Sequence, residues 1–152
     1  IGGGLHQIER GGKLDIHSDF NLLYGTNRRR ALNLILYLNK NWEEEYGGHL
    51  ELWDKNMTEC HSRILPIYNR AVIFNTDEFS FHGHPEPLNC PENLTRKSIA
   101  IYYYVENTES VSSRSTKYMK RPQDPDDKEL DSFREFRSKP LPERLKILKE
   151  KE

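Results

Sequence analysis

Short strands at regular spacing fill the first 105 residues of the chain. Eight runs of apolar or alternating residues are separated by turn residues, among them Gly11-Gly12 and the stretch HPEPLNCPEN. No helical run lies between them, so the sequence predicts an all-β core, an antiparallel sandwich or barrel, and not a βαβ sheet. The predicted strands cover residues 4–9, 13–17, 31–39, 48–53, 62–67, 71–76, 80–84 and 97–105.

The composition becomes polar after residue 105. ENTESVSSRSTK has the composition of a loop, and RPQDPDD that of a linker that ends at a helix start. Two amphipathic helices follow, because apolar residues recur three or four positions apart. Their stripes are Leu130, Phe133 and Phe136 in one helix, and Leu141, Leu145 and Leu148 in the other. We therefore expect a core over 1–105 and a polar linker with helices over 106–152, packed outside the core or extending from it.

The overall charge points to no particular macromolecular partner. The formal net charge is −1 with 31% charged residues, which predicts neither nucleic-acid binding nor a strongly acidic surface. No apolar run is long enough to span a bilayer. Cys60 and Cys90 have no metal-binding spacing, so a reducing, cytoplasmic location is the expectation. The chain begins at Ile1 and not at Met, which suggests a fragment whose core lacks N-terminal elements; the oligomeric state stays open.

A His-x-Asp pair ends the second predicted strand. Residues i and i+2 of a strand share a face, so His17 and Asp19 would present an imidazole and a carboxylate to one space. A second histidine from a distant strand would complete a set of two histidines and one carboxylate, which holds Fe(II) and leaves positions open. The stretch SFHGHPEP offers His82 and His84; we favour His82, with His84 as the alternative, because His84 precedes a proline that ends the strand pattern.

The last predicted strand carries a candidate anion site. Arg96, Ser98 and Ala100 share one face, which places a cation, a hydroxyl and a small side chain in a row. A guanidinium binds a carboxylate through two hydrogen bonds, and a hydroxyl adds a third donor. Tyr37 could add a phenolic hydroxyl from the third strand. An exposed arginine at a strand start is the competing interpretation.

In combination, these motifs resemble the Fe(II)- and 2-oxoglutarate-dependent dioxygenases. The stretch ILYLNKNWEEEYGGHLELW, residues 35–53, is similar to the prolyl-4-hydroxylase-like branch of that family, and the resemblance extends over residues 3–105. It implies a double-stranded β-helix, also called a jelly roll. It also implies that His17, Asp19 and His82 bind Fe(II), while Arg96, Ser98 and Tyr37 bind 2-oxoglutarate.

The resemblance further implies a reaction. The enzyme would use O₂ and 2-oxoglutarate to hydroxylate a C–H bond, with release of succinate and CO₂ and with ascorbate as a candidate reductant. A carboxylate at Asp19 argues against a halogenase, in which that position is small. A prolyl residue of a peptide or protein is the favoured substrate. A free amino acid or another small molecule is the alternative.

Two further functions remain open from the residues alone. One is a cupin-like metal protein without oxygenase activity, which would not need Arg96 and Ser98. The other is an interaction module that uses its C-terminal helices. The predicted loop 20–30 contains Arg28, Arg29 and Arg30, which fit either contacts to an acidic substrate or a solvated turn, with Arg30 as the alternative start of the next strand. For the remaining aromatic and histidine residues we expect packing or sheet-face roles: Trp42, Tyr46, Trp53, His6, His49 and His61.

Overall fold

The computed structural model describes residues 2–109, 111 and 113–150, except the side chain of Leu141. Ile1, Ser110, Ser112, Lys151 and Glu152 lie outside the described residues, as do the parts of the predicted loop and last helix that fall on them. The strands are β1 (Gly3–Ile8), β2 (Leu14–Ser18), β3 (Arg28–Tyr37), β4 (Leu50–Trp53), β5 (Cys60–Ile64), β6 (Ala71–Asn75), β7 (Phe81–His84), β8 (Arg96–Glu106) and β9 (Lys117–Tyr118). The helices are α1 (Lys128–Ser138) and α2 (Leu141–Lys149), and a 3₁₀ turn covers Glu44–Tyr46.

Two antiparallel sheets form the double-stranded β-helix that the sequence predicts. The four-stranded sheet has the order β1-β8-β3-β6, and the five-stranded sheet has the order β5-β4-β7-β2-β9. Strands that are distant in sequence therefore lie side by side. His17 on β2 pairs with His82 on β7, and Tyr37 on β3 pairs with Ser98 on β8. The prediction of an all-β core is confirmed.

Strand β3 begins earlier than the sequence suggests. The predicted loop 20–30 is wrong at its end, because Arg28, Arg29 and Arg30 already belong to β3 and pair with the far end of β8. An arginine triplet gives no apolar alternation, so the pairing partner and not local propensity extends the strand. Strand β9 is also missed, because a two-residue strand in a polar segment has no readable period.

The four-stranded sheet turns polar side chains inward. Along β8, Arg96 and Ser98 are buried, whereas Ile101 and Tyr103 on the opposite face are 41% and 48% exposed. The apolar core is consequently divided into clusters around the polar interior. These are Ile16, Trp53, Met57 and Phe81; Tyr37, Leu50 and Val72; and Trp42, Leu88 and Cys90. Trp42 and Trp53 thus have the packing role expected from the sequence.

The segment after β8 is attached to the five-stranded sheet through buried charges. Strand β9 pairs with β2, and Arg134 of α1 is 7% exposed. The guanidinium of Arg134 donates from Nε to Oδ2 of Asp15 at 3.0 Å and lies 3.5 Å from Asp124. Because Asp15 precedes His17 on β2, this helix is tied to the strand that carries a candidate metal ligand. Neither helix in the described part of the chain is long and apolar enough to cross a membrane.

Replacing Arg134 with methionine is expected to destabilise the protein by roughly 2–3 kcal/mol, because two partly buried carboxylates lose a cation. The loss of stability is smaller than for carboxylates left without any cation, because Lys13 still faces Asp15 and Arg121 still faces Asp124. Urea unfolding measures this difference. The exposed Arg137 of the same helix is the matched control, and Arg137→Met should cost about 0.5 kcal/mol or less. Equal losses in the two variants would contradict the assignment.

Candidate active site

Three ligand atoms converge between β2 and β7. One atom each from His17, Asp19 and His82 lies within 4.8 Å of the other two. The Nε2 atoms of His17 and His82 lie 3.7 and 3.5 Å from the carboxylate oxygens of Asp19. The imidazole rings themselves are 4.5 Å apart between centroids. This is the set of two histidines and one carboxylate predicted from the sequence, and His84 is not part of it.

Both histidines are held so that Nε2 points away from the backbone. Nδ1 of His17 lies 2.9 Å from the carbonyl oxygen of Asp15, and Nδ1 of His82 lies 2.8 Å from that of Ser80. A carbonyl oxygen only accepts, so each Nδ1 donates and each Nε2 keeps its lone pair for a metal. Tyr118 of β9 lies against His17, with ring centroids 5.5 Å apart. The donor set and the fixed ring orientations fit Fe(II), which prefers nitrogen and oxygen ligands in this arrangement.

Asp19 is kept ionised partly by Arg30 and Asn33, a role that the sequence analysis did not assign to either residue. Its Oδ2 accepts a hydrogen bond from Asn33 at 2.8 Å and lies 3.2 Å from the guanidinium of Arg30. Burial alone would raise the pKa of Asp19, but His82, Arg30, His17 and the Asn33 hydrogen bond together lower it. Burial and the neighbouring His17 lower the pKa of His82 to about 4, so His82 is neutral at neutral pH while the guanidinium of Arg30 faces Asp19.

A β-bulge gives Arg30 its direction. Arg30 pairs with Tyr104 and Leu32 pairs with Tyr103, so Ala31 is an extra residue on β3. Regular alternation through Ala31 would turn Arg30 outward whenever Asn33 points inward, and the bulge restores the inward direction of Arg30. In the structure Arg30 is 3% exposed and lies over the ring of Tyr102, 3.5 Å from its centroid. The interpretation of Arg30 as part of a solvated turn is therefore wrong.

Arg96 occupies the other end of the row of inward side chains on β8. Its side chain is 4% exposed; Nε donates to the carbonyl oxygen of Gly48 at 2.8 Å, and Nη2 lies 3.4 Å from the hydroxyl of Tyr37. Gly48 has φ of +72°, and an added Cβ would lie 2.9 Å from Cδ of Arg96, so a glycine is needed here. Burial lowers the pKa of Arg96, partly offset by Tyr37, and no described carboxylate pairs with it.

A single cavity of about 220 Å³ joins the two ends. This volume is below the roughly 300–1,000 Å³ of pockets that take drug-sized ligands, which favours a small occupant. Side chains from both sheets line it, including every predicted ligand and anion-site residue except Tyr37, which is buried behind Arg96. The hydroxyl of Ser98 has no hydrogen-bond partner among the described residues.

The remaining histidines lie in different surroundings. His6, expected on a polar sheet face, lines the cavity, and burial lowers its pKa. His49 is 2.8 Å from Glu44, a pairing that the sequence spacing did not reveal. His61 is exposed on β5. His84 lines the cavity beside the metal ligands without joining them.

Known proteins resemble the chain at the level of family. The family model described as "2OG-Fe(II) oxygenase superfamily" matches residues 3–104, which is most of the chain and includes every candidate site residue. The chain belongs to this superfamily. Membership brings with it Fe(II) and 2-oxoglutarate as metal and cosubstrate. His17, Asp19 and His82 fit Fe(II). Arg96 and the hydroxyl of Ser98 fit 2-oxoglutarate, because neither has a partner of the required kind among the described residues.

Individual proteins similar to this chain are prolyl hydroxylases. Prolyl 3-hydroxylase OGFOD1 of Mus musculus is 32% identical over 79 residues, which are 49% of this chain and 14% of that protein. A prolyl hydroxylase from Trichoplax adhaerens, solved in complex with a hypoxia inducible factor oxygen degradation domain peptide fragment, is 22% identical with a TM-score of 0.53. It matches 74% of this chain and 49% of its own length.

A third similar protein is a prolyl-4-hydroxylase from Pseudomonas putida, at 19% identity and a TM-score of 0.49, over 66% of this chain and 50% of that one. The chain thus spans about half the length of the solved relatives and a smaller part of the mouse protein. The Trichoplax structure supports the fold, and the family model supports the class of chemistry.

Substitution of His82 and of His84 on β7 distinguishes the metal ligand from the histidine that does not bind the metal. His82→Ala is expected to weaken Fe(II) or Mn(II) binding by more than about 100-fold, beyond the 10- to 100-fold typical of residues that only support a ligand. His84→Ala should keep the wild-type metal stoichiometry, because His84 lies outside the ligand group. Calorimetric titration with Mn(II) under anaerobic conditions measures both. Loss of metal in His84→Ala alone would reverse the assignment.

His84 also makes the stability of the metal-free protein depend on pH. Burial, helped by Arg96, lowers the pKa of His84 from 6.5 to about 3. Between about pH 6.5 and pH 3 the imidazole is protonated in the unfolded chain but not in the folded protein. The free energy of unfolding therefore decreases as the pH is lowered through this window. His84→Phe should lose less stability there, by on the order of a few kcal/mol at pH 3. Urea unfolding in EDTA from pH 7 to pH 3 measures this, and parallel curves would contradict it.

Proposed function

We propose that the protein is an Fe(II)- and 2-oxoglutarate-dependent hydroxylase that oxidises a C–H bond of a prolyl residue in a peptide or protein, releasing succinate and CO₂. The observation that carries the proposal is the buried guanidinium of Arg96, which has no described carboxylate partner and faces the cavity that also holds His17, Asp19 and His82. An uncompensated buried cation is costly, and a carboxylate of the cosubstrate would offset that cost.

The protein's own groups would bind and orient the cosubstrate. Arg96 would pair with the distal carboxylate of 2-oxoglutarate. The carbonyl oxygen of Gly48 and the hydroxyl of Tyr37 fix the plane of its guanidinium. The hydroxyl of Ser98 would donate a further hydrogen bond, because it has no other described partner. A cation and a hydroxyl on one strand face give both charge and direction to the binding of a carboxylate.

At the other end, His17, Asp19 and His82 would hold the metal on one side and leave the opposite positions open. Bound together, Fe(II) and 2-oxoglutarate supply the family's chemistry, in which O₂ and the loss of CO₂ drive hydroxylation of a nearby C–H bond. Arg30 and Asn33 keep Asp19 ionised and fix which of its oxygens faces the metal. The protein contributes placement, since a displacement of about 1 Å in such a site can cost about 100-fold in rate.

The prolyl target rests on the relatives. The mouse protein is named a prolyl 3-hydroxylase, and the Trichoplax enzyme was solved with a peptide fragment. We propose the same substrate class for this chain, with a free amino acid or another small molecule as the alternative. The roles assigned to Arg96, Ser98 and Tyr37, and a cytoplasmic location, remain predictions.

Succinate formation tests the proposed chemistry. Wild-type protein with Fe(II), 2-oxoglutarate, ascorbate and O₂ is expected to release succinate, slowly without a prolyl peptide and faster with one. His17→Ala should abolish the reaction because a metal ligand is lost. Arg96→Ala should raise the 2-oxoglutarate concentration for half-maximal rate by at least about 10-fold, since a charge-assisted bond is removed.

The metal content of both variants separates the outcomes. Arg96→Ala that loses metal as well as 2-oxoglutarate would indicate a folding defect and not a lost anion site. An absence of succinate, together with an absence of 2-oxoglutarate binding to the anaerobic Fe(II) protein, would favour a cupin-like metal protein or an interaction module.

A further inference from the structure

His84 is a buried imidazole without a hydrogen-bond partner. It lies on β7, is 3% exposed, and neither Nδ1 nor Nε2 bonds to any described residue. On the same strand, His82 satisfies its Nδ1 through a backbone carbonyl. The two histidines therefore differ in kind: the ring of His82 is fixed by the chain, whereas the ring of His84 is fixed by nothing that the structure describes.

Such a ring requires an explanation. In either tautomer a neutral imidazole carries one N–H donor and one acceptor, and a buried donor without a partner costs about 1–3 kcal/mol. Buried polar groups are nearly always paired, so exceptions tend to mark strain, an unseen small molecule or a functional role. The ring lines the cavity that joins the metal ligands to Arg96, so a molecule bound in that cavity would lie beside it.

The surroundings of His84 select the charge of that molecule. The charged or ionisable side chains that act on it are Arg96, His17 and His6, in that order, and no described carboxylate is among them. Asp19, the carboxylate that lines the same cavity, already faces Arg30. An anion would meet a guanidinium, an imidazole N–H and the unpartnered hydroxyl of Ser98. Arg96 and Ser98, which form the anion end of the cavity, line it together with His84.

We propose that His84 is a cosubstrate-binding residue, which donates a ring N–H to the same distal carboxylate of 2-oxoglutarate that Arg96 pairs with. The inference rests on the proposed function, because it takes 2-oxoglutarate as the occupant of the cavity. It adds a specificity determinant to the site. The guanidinium supplies charge, whereas the imidazole and the Ser98 hydroxyl supply directed donors that a 2-oxo acid with an apolar end cannot use.

The register of β7 supports this division of labour between its two histidines. His84 and His82 are two residues apart and face the same cavity. His82 stands opposite His17, and His84 stands opposite Leu14, where β2 has no polar side chain to offer. One strand thus delivers one imidazole to the metal and one to the cosubstrate.

The test compares the binding of two 2-oxo acids to the anaerobic Fe(II) protein, followed by the charge-transfer absorption of a chelated keto acid. One is 2-oxoglutarate, and the other is 2-oxovalerate, which carries a methyl group in place of the distal carboxylate. His84→Phe is expected to raise the dissociation constant of 2-oxoglutarate about 10-fold or more, since a hydrogen bond to a charged group is lost. The dissociation constant of 2-oxovalerate should change less than about threefold.

Conservative variants and a matched control complete the design. His84→Asn and His84→Gln each keep an N–H donor near one ring nitrogen, and one of them should bind 2-oxoglutarate within about threefold of wild type. His61→Phe makes the same replacement on an exposed strand and should leave binding unchanged. Should His84→Phe fail to fold, His84→Met takes its place as the variant without a donor.

Several results would overturn the assignment of His84. These are wild-type affinity in His84→Phe, equal weakening of both 2-oxo acids, equal weakening in all His84 variants, or loss of the metal from His84→Phe. A wild-type protein that binds metal but neither 2-oxo acid would instead overturn the proposed function. The two failures are therefore distinguishable.

Discussion

The antiparallel pairing of β2 with β7 is the constraint on which the site depends. It sets His17 directly opposite His82, and the carbonyl oxygens two residues before each histidine fix the rings. Backbone geometry, and not side-chain packing, thereby aims both Nε2 atoms at Asp19. Ring orientation is inherited from the sheet, so a metal would meet ligands that are already arranged, and little ordering entropy would be lost on binding.

The interior of the β-helix contains charged side chains where most small domains contain apolar side chains. Asp19 is balanced by Arg30, whereas Arg96 is buried without a described acidic partner. The cavity is therefore electrically asymmetric, with a metal site at one end and an unbalanced cation at the other. A small molecule that chelates metal at one end and bears a carboxylate at the other matches both demands. Its binding would remove an energetic cost that the folded protein otherwise bears.

The sequence was most informative where the strand period is unbroken. Arg96, Ser98 and Ala100 were placed on one face by simple alternation, and they line the cavity together. Alternation also put His82 and His84 on one face, but it could not separate their positions. That separation depends on which residue of β2 lies opposite each of them, and register across strands is not written in either strand alone.

Elements without a period escaped prediction. Arg30 and Asn33 are three residues apart, a spacing that assigns them to opposite faces unless a bulge intervenes, and Ala31 has no feature that signals one. Strand β9 is recognisable only through its partner β2. The division of the chain at residue 105 stays a prediction, although Arg134 and β9 tie the later segment to the strand of His17.

Because of the extra residue in β3, the spacing between Arg30 and Asn33 matters as much as their identities. On one side of Ala31 the inward residues of β3 are odd-numbered, and on the other side the inward Arg30 is even-numbered. A related chain without the extra residue would pair regularly with β8, and its inward cation would then stand two residues before the asparagine and not three. An alignment that holds this spacing fixed would overlook such a cation, whereas one that allows a difference of one residue between the two positions would find it.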